Sequence, residues 1–170
     1  MNDASPRLDG LRPVIARNTQ LVILGSFPGA ASLRAQQYYG HPRNHFWPLV
    51  GNILKLDLVA LPYARRLQQL RFHGVGLWDV IASCRRQGSL DTAIEGAQLN
   101  DLASLRRRAP ALRCVAHNGG ESARCMKLTV GLGFHVLRLP SSSPANASWS
   151  FERKLVAWRD AFQQAGIVST

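Results

Sequence analysis

Cysteine is scarce: Cys84, Cys114 and Cys125 are the only three in 170 residues, and no C-x-x-C occurs. An odd count without that spacing gives no support to a disulfide framework, a zinc ribbon or a four-Cys iron–sulfur cluster. Reduced, buried thiols are the expected state. Long apolar runs are missing as well. The stretch Leu21–Leu24 has strand length, far below the ~20 residues that span a bilayer. The opening MNDASPRLDG holds no apolar signal-peptide core, so no membrane partner and a cytoplasmic location are expected. Acidic residues are few, 10 against 21 Lys plus Arg. Lysine is rarer still, at three of those 21, the other 18 being arginine. Internal repeats and low-complexity tracts are also lacking.

What remains is an ordinary globular composition, 46% apolar and 18% charged, in a length that suits one domain with one core. The net charge of +11 points to a polyanionic partner. Arginine suits phosphate because its planar fork donates two hydrogen bonds at once. A GC-rich genome produces the same Arg-over-Lys bias, but charge of this size favours nucleic acid.

Residues 1–18 are polar, carry Pro6 and Pro13, and read as an N-terminal arm ahead of a single domain over 19–168. Leu21–Leu24, closed by Gly25, reads as a buried parallel strand. Further strands are predicted at Val75–Val80, Leu112–Ala116 and Phe134–Leu139. Helical spacing covers 45–55, and Pro62 opens a helix over Tyr63–Phe72 that Gly74 ends. Asn100 or Asp101 caps a helix reaching about Arg108. Gly119–Val130 reads as helix, and Ser150 caps a last one that runs to Gln164 and stops at Gly166. Residues 83–97 are polar and are expected to loop out. Strands alternating with helices give a parallel sheet covered on both faces. Ligands of such sheets bind beyond the carboxyl ends of the strands. The loops there are GSFPG (Gly25–Gly29), the stretch from Asp79, His117-Asn118-Gly119-Gly120 and Pro140–Asn146. They supply many donors but no Ser-His-Asp order, no paired carboxylates and no P-loop lysine.

GSFPG brings backbone close to a ligand, or is a plain strand-to-helix turn; it lacks G-x-G-x-x-G. The block Tyr38-Tyr39-Gly40-His41-Pro42-Arg43-Asn44-His45-Phe46-Trp47 is far more specific. Its tyrosines offer a face for stacking a base, worth roughly 1–3 kcal/mol. Asn44 both donates and accepts, so it holds a water, reads a base edge, or simply caps a helix whose Phe46 and Trp47 enter the core. His41 and His45 have a metal-pair spacing, but Pro42 interrupts the helix it would need. Asp79 either accepts from a base N–H or anchors loop backbone, and His117 reads as a packed residue. Ser141, Ser142 and Ser143 head a rigid loop that grips phosphate or is a surface turn. Arg85 and Arg86 are candidate DNA contacts. Arg106–Arg108 touches DNA or is a solvated helix face.

Taken together, GSFPG…YYGHPRNHFW, LWDV, HNG and LPSSSPAN resemble the uracil-DNA glycosylase superfamily, most closely its DNA-deoxyinosine (hypoxanthine-DNA) glycosylase family. The likeness runs over roughly residues 18–165, with the motifs in order. It implies an α/β fold, a three-layer α/β/α sandwich around a four-stranded parallel sheet, with the pocket at the strand ends. It also implies a monofunctional DNA glycosylase of base-excision repair, a hydrolase acting on N-glycosyl bonds. The substrate is DNA containing a deaminated base, hypoxanthine first and uracil or xanthine next. No cofactor or metal is expected, and the protein is taken as a monomer, nucleoid-associated when acting on DNA.

The superfamily often places an Asp or Asn that positions the attacking water where this chain has Phe27. The hypoxanthine family resembles this chain in that departure, and the resemblance assigns catalysis to Asn44. Tyr39 matches the position that stacks on the flipped base. Asp79 stands where uracil-specific relatives carry a base-reading Asn, which argues against strict uracil specificity. Leu139 replaces the His or Asn that opens the last motif, so a loop hydroxyl or backbone N–H substitutes for that donor. The reading that follows flips the base into the pocket. Tyr39 stacks on it, Asp79 and Asn118 read its edge, and Asn44 orients the water. Ser26, the Phe27 N–H and Asn118 face the charge on the departing base. No lysine lies in any motif, so a Schiff-base step is not expected. The alternatives are a catalytically inactive DNA-binding protein of the same fold, a mismatch-type uracil-DNA glycosylase, and a nucleoside hydrolase, against which the charge weighs.

Overall fold

The computed structural model describes residues 5–170. Its centre is built from the short apolar runs. In chain order, β1 (Arg7–Asp9) and β2 (Leu21–Gly25) are followed by α1 (Ala30–Ala35), α2 (Phe46–Leu54) and α3 (Tyr63–Phe72). Next come β3 (Val75–Asp79), β4 (Ile81–Arg85), β5 (Glu95–Leu99) and α4 (Leu105–Arg108). The chain closes with β6 (Cys114–Asn118), α5 (Gly120–Ala123), α6 (Met126–Gly131), β7 (His135–Leu139) and α7 (Phe151–Gln164). Strands β3-β2-β6-β7, in that order, form one parallel sheet.

Period-two alternation sorts the strand side chains between two layers. Leu21 and Ile23 join Phe46, Leu49, Leu70, Trp158 and Phe162 on one face, beneath α2, α3 and α7. Val22 and Leu24 join Trp78, Leu102, Leu105 and Val115 on the other. The expected three-layer α/β/α sandwich around a four-stranded parallel sheet is therefore what the chain forms. Three helix ends behave as read: Ser150 Oγ accepts from Arg153 N–H at 3.2 Å, and Gly74 and Gly166 turn the chain with positive φ. No helix among the described residues is long and apolar enough to cross a membrane.

Four segments depart from expectation. The helix expected from Asn100 or Asp101 is a 3-10 turn over Leu102–Ser104 followed by the one-turn α4, and neither residue caps it through its side chain. Residues 83–97 do not loop out: β4 and β5 pair antiparallel, and β1 pairs with the other edge of β4. The lead-in over 1–18 accordingly carries structure from residue 7, and Val14 is buried and bridges Leu77; residues 1–4 lie outside the described residues. The helix expected over Gly119–Val130 is two helices, α5 and α6. The small antiparallel sheet packs on Phe27, Ile81 and Cys84, and so fixes the side wall of the site described next.

Candidate active site

Parallel register brings Gly25 beside Asp79 and Asn118 beside Leu139 at the carboxyl edge of the sheet. The loops that leave these residues enclose a cleft of about 810 Å³. Tyr39 and Asn44 both line it, together with Ser26, Phe27, Asp79 and Asn118.

The 38–47 block divides its side chains by chemistry. Tyr38 and Trp47 are buried, and Trp47 Nε1–H donates to the Tyr38 carbonyl at 3.2 Å. Ser32 Oγ holds Gly40 N–H at 2.9 Å. Between these anchors Tyr39 takes φ +54°, a left-handed conformation that costs a non-glycine residue about 1–2 kcal/mol. The turn lays the Tyr39 ring flat on Phe46, with centroids 3.9 Å apart and planes 12° apart. A base stacking on Tyr39 would thus continue a stack whose base is in the core. Asn44 is not the N-cap of α2, a position His45 holds; its Oδ1 accepts from Phe46 N–H at 2.9 Å one residue earlier in the turn, and the residue lines the cleft. The oxygen's second lone pair remains for a water.

Asn118 ties the site together. Its Nδ2 donates to Tyr39 Oη at 3.2 Å and Ser142 Oγ at 2.9 Å, and its Oδ1 accepts from Ser142 N–H at 3.0 Å. With both amide N–H groups engaged, Asn118 positions Tyr39 and the 140–146 loop and is not free to read a base edge. Ser26 is committed too: its Oγ lies 2.9 Å from both carboxylate oxygens of Asp91, so its proton points at that carboxylate rather than at a departing base. The Phe27 ring is buried in the cluster with Ile81 and Cys84, which leaves its backbone, not its ring, as the group to face a ligand.

The expected DNA contacts divide in the same way. Ser141 and Ser143 line the cleft and make local turns, Ser141 Oγ accepting from Ser143 N–H at 3.1 Å. Ser142 is 1% exposed, with its hydroxyl on Asn118, so its side chain does not reach out to DNA. Arg85 is exposed on β4. Arg86 is 5% exposed and corrects the reading of it as a surface contact. Its Nε donates to the Gly88 carbonyl at 2.9 Å and its Nη2 to the Pro28 carbonyl, and its guanidinium lies over the Phe27 ring. It pins the GSFPG loop against the loop after β4.

His117 is fully buried between Ser122 and Thr129 hydroxyls, at 2.8 and 2.9 Å. Burial lowers its pKa to about 4, so it is a neutral packing residue, as read. His41 lines the cleft, whereas His45 faces Lys154 Nζ at 3.3 Å, so the two histidines do not converge.

Among the cleft residues that escaped the sequence reading are Ser89, Asp91, Thr92, Arg138 and Trp149. Asp91 reaches the cleft from the 83–97 segment and brings a second carboxyl to the cavity that Asp79 lines. Burial raises both, and the charge on Asp91 raises Asp79 further, to about 7. Lys154, from α7, is buried against His45 and does not line the cleft.

Comparison with known proteins places the chain. The model of the Uracil DNA glycosylase superfamily matches residues 13–162. The chain belongs to the uracil DNA glycosylase superfamily. Among curated members, a "Hypoxanthine DNA glycosylase" of Methanosarcina barkeri is 40% identical over 155 residues, covering 91% of this chain and 98% of its own. One from Methanosarcina acetivorans is 38% identical over 154 residues, covering 91% and 97%. A candidate uracil DNA glycosylase from Methanosarcina acetivorans, solved by solution NMR, superposes with a TM-score of 0.86 at 37% identity, covering 95% of this chain and 99% of its own. The superfamily fold is therefore shared with these relatives.

Proposed function

We propose that this protein is a monofunctional DNA glycosylase that hydrolyses the N-glycosidic bond of a deaminated base flipped from DNA, with hypoxanthine as the first substrate. The observation that carries the reading is the convergence of Tyr39 and Asn44 on one cleft at the carboxyl edge of the sheet. Relatives bearing the hypoxanthine name at 40% and 38% identity over nine-tenths of the chain support the choice of base.

Extruding a base costs a few kcal/mol, least for a mispaired one. Stacking on the Phe46-backed Tyr39 ring offsets that cost by roughly 1–3 kcal/mol. As the glycosidic bond lengthens, positive charge grows on the sugar and negative charge on the base. Backbone donors of the strand-end loops, the Phe27 N–H among them, would stabilise the second. Asn44 holds water against the first. It is no strong base, but a nearly formed oxocarbenium ion needs an oriented water more than a deprotonated one. Lys154, the lysine nearest the block, has its Nζ against His45 and is fully buried, which supports hydrolysis without an amine intermediate.

Duplexes carrying a single hypoxanthine, uracil, xanthine or normal base, assayed for abasic sites, test the proposal. Hypoxanthine excision is the expected result, and Asn44→Ala should lower its rate by about 100-fold or more, the scale of a lost catalytic group, with duplex binding retained. Binding without abasic sites from any base would make the protein the inactive DNA-binding member of its fold.

A further inference from the structure

We infer that Asp79 enters this reaction as an uncharged carboxylic acid and hands its proton to the departing base. The inference rests on the glycosylase reading and adds the group that completes it.

The geometry begins at the end of β3. Asp79 lies on the cleft floor, 5% exposed. Its Oδ1 occupies the space where any side chain at position 25 would project, so glycine there gives the carboxyl its place. Asn100 Nδ2 donates to the Asp79 backbone carbonyl at 2.8 Å, fixing the main chain without touching the carboxyl. The other oxygen, Oδ2, is buried and has no hydrogen-bond partner. An unpaired carboxylate buried in this way is among the costlier arrangements in a protein, and such a group neutralises by keeping its proton.

The charged and titratable groups around it push in the same direction. Asp91, from the turn after β4, raises it through like charge. Tyr38 and Tyr39, from the segment after α1, are themselves held neutral by burial. His41 and Arg138 also line the cleft, but Arg138 is exposed and neither touches the carboxyl. Arg86, the buried cation of this wall, directs Nε and Nη2 at the Gly88 and Pro28 carbonyls, its Nη1 has no partner among the described residues, and it makes no hydrogen bond to the Asp79 carboxyl. With the pKa pushed up to about 7, the acid form is available at neutral pH.

A carboxylic acid carries one donor and one acceptor. An oxopurine edge carries a carbonyl acceptor and a ring N–H donor, so the two fit. In the reaction the C1′–N bond breaks and its electron pair passes into the base. The Asp79 O–H bond breaks as its proton moves to an acceptor on the base edge, and the base leaves uncharged. Water forms the C1′–O bond, and the proton it sheds returns through solvent to the Asp79 carboxylate. This gives the cleft a leaving-group donor despite Leu139.

The test is single-turnover excision from hypoxanthine duplex between about pH 5.5 and pH 9, read against two variants. Wild type should lose about tenfold per pH unit above about 7. Asp79→Asn, which still donates but transfers no proton, should be slower at acid pH by on the order of 10- to 100-fold and flat above neutrality; Asp79→Ala should be slower still. Carboxyl-13C titration, with the Asp79 signal assigned by its loss in Asp79→Asn, should show a midpoint near 7. An active enzyme with a flat profile, or an Asp79 signal titrating in the ordinary carboxylate range, overturns the inference alone. An enzyme that excises nothing at any pH removes the glycosylase reading and this role with it.

Discussion

A single carboxyl group makes folding and chemistry pull against each other. Asp79 has a folded pKa of about 7 against an ordinary value of 3.8. An acid whose pKa is raised by folding binds more protons in the folded state than in the unfolded one, so stability falls as pH climbs between the two values. Above the folded pKa the whole penalty is present, because the folded protein then buries an unpaired anion. Asp79→Asn removes the charge and keeps the shape. Urea midpoints should therefore coincide at about pH 4 and favour the variant by a few kcal/mol at about pH 8, since each pK unit is worth about 1.4 kcal/mol. Equal midpoints at both pH values would show that the carboxyl is solvated. The same trade marks Tyr39, whose φ of +54° is a local strain held at a functional position by Ser32, Asn118 and Phe46.

Elements rather than residues decide how stiff the cleft wall is. The antiparallel β1-β4-β5 sheet carries the loop that delivers Asp91, and Arg86 joins that loop to GSFPG. Arg86→Ala removes charged hydrogen bonds to two carbonyls and the cover of Phe27, for an expected loss of about 2–3 kcal/mol in thermal or urea unfolding. Because the side chain is buried, the salt dependence of DNA binding should stay that of wild type, whereas loss of a phosphate contact would flatten it by about one unit of slope. This wall was the least legible part of the sequence. Strands β2, β3 and β6 are buried along nearly their whole length, so they read as continuous apolar runs; β5, Glu95–Leu99, is exposed at all five positions and offers no alternation to read. The block around Tyr39 and Asn44 was legible because its residue types are unusual together. The engagement of Asn118 and Ser26 was not, since their partners lie 79, 24 and 65 residues away and only the fold brings them near. The break between α5 and α6 has no mark in the sequence.

Across the whole molecule, charge and cleft serve different steps. Of a net charge of +11, little is neutralised internally: among the described residues the one ion pair is Arg124 with Glu121, at 3.1 Å on the surface. The exposed guanidinium groups, which exclude the buried Arg86, can displace counterions from a phosphate backbone, a binding term that depends on salt and not on sequence. The cleft, by contrast, works through stacking, a carboxamide and a buried acid, none of which needs bulk charge. The two should separate experimentally. Duplex affinity, with or without a hypoxanthine, should fall at least tenfold between about 50 and about 200 mM salt, along parallel log–log lines. The single-turnover excision rate at saturating protein should hold constant over the same range, because the bound complex has already released its counterions. A salt-insensitive affinity would mean that the arginine excess is not directed at DNA. A saturated rate that fell with salt would mean that surface charge reaches into the cleft and takes part in breaking the bond.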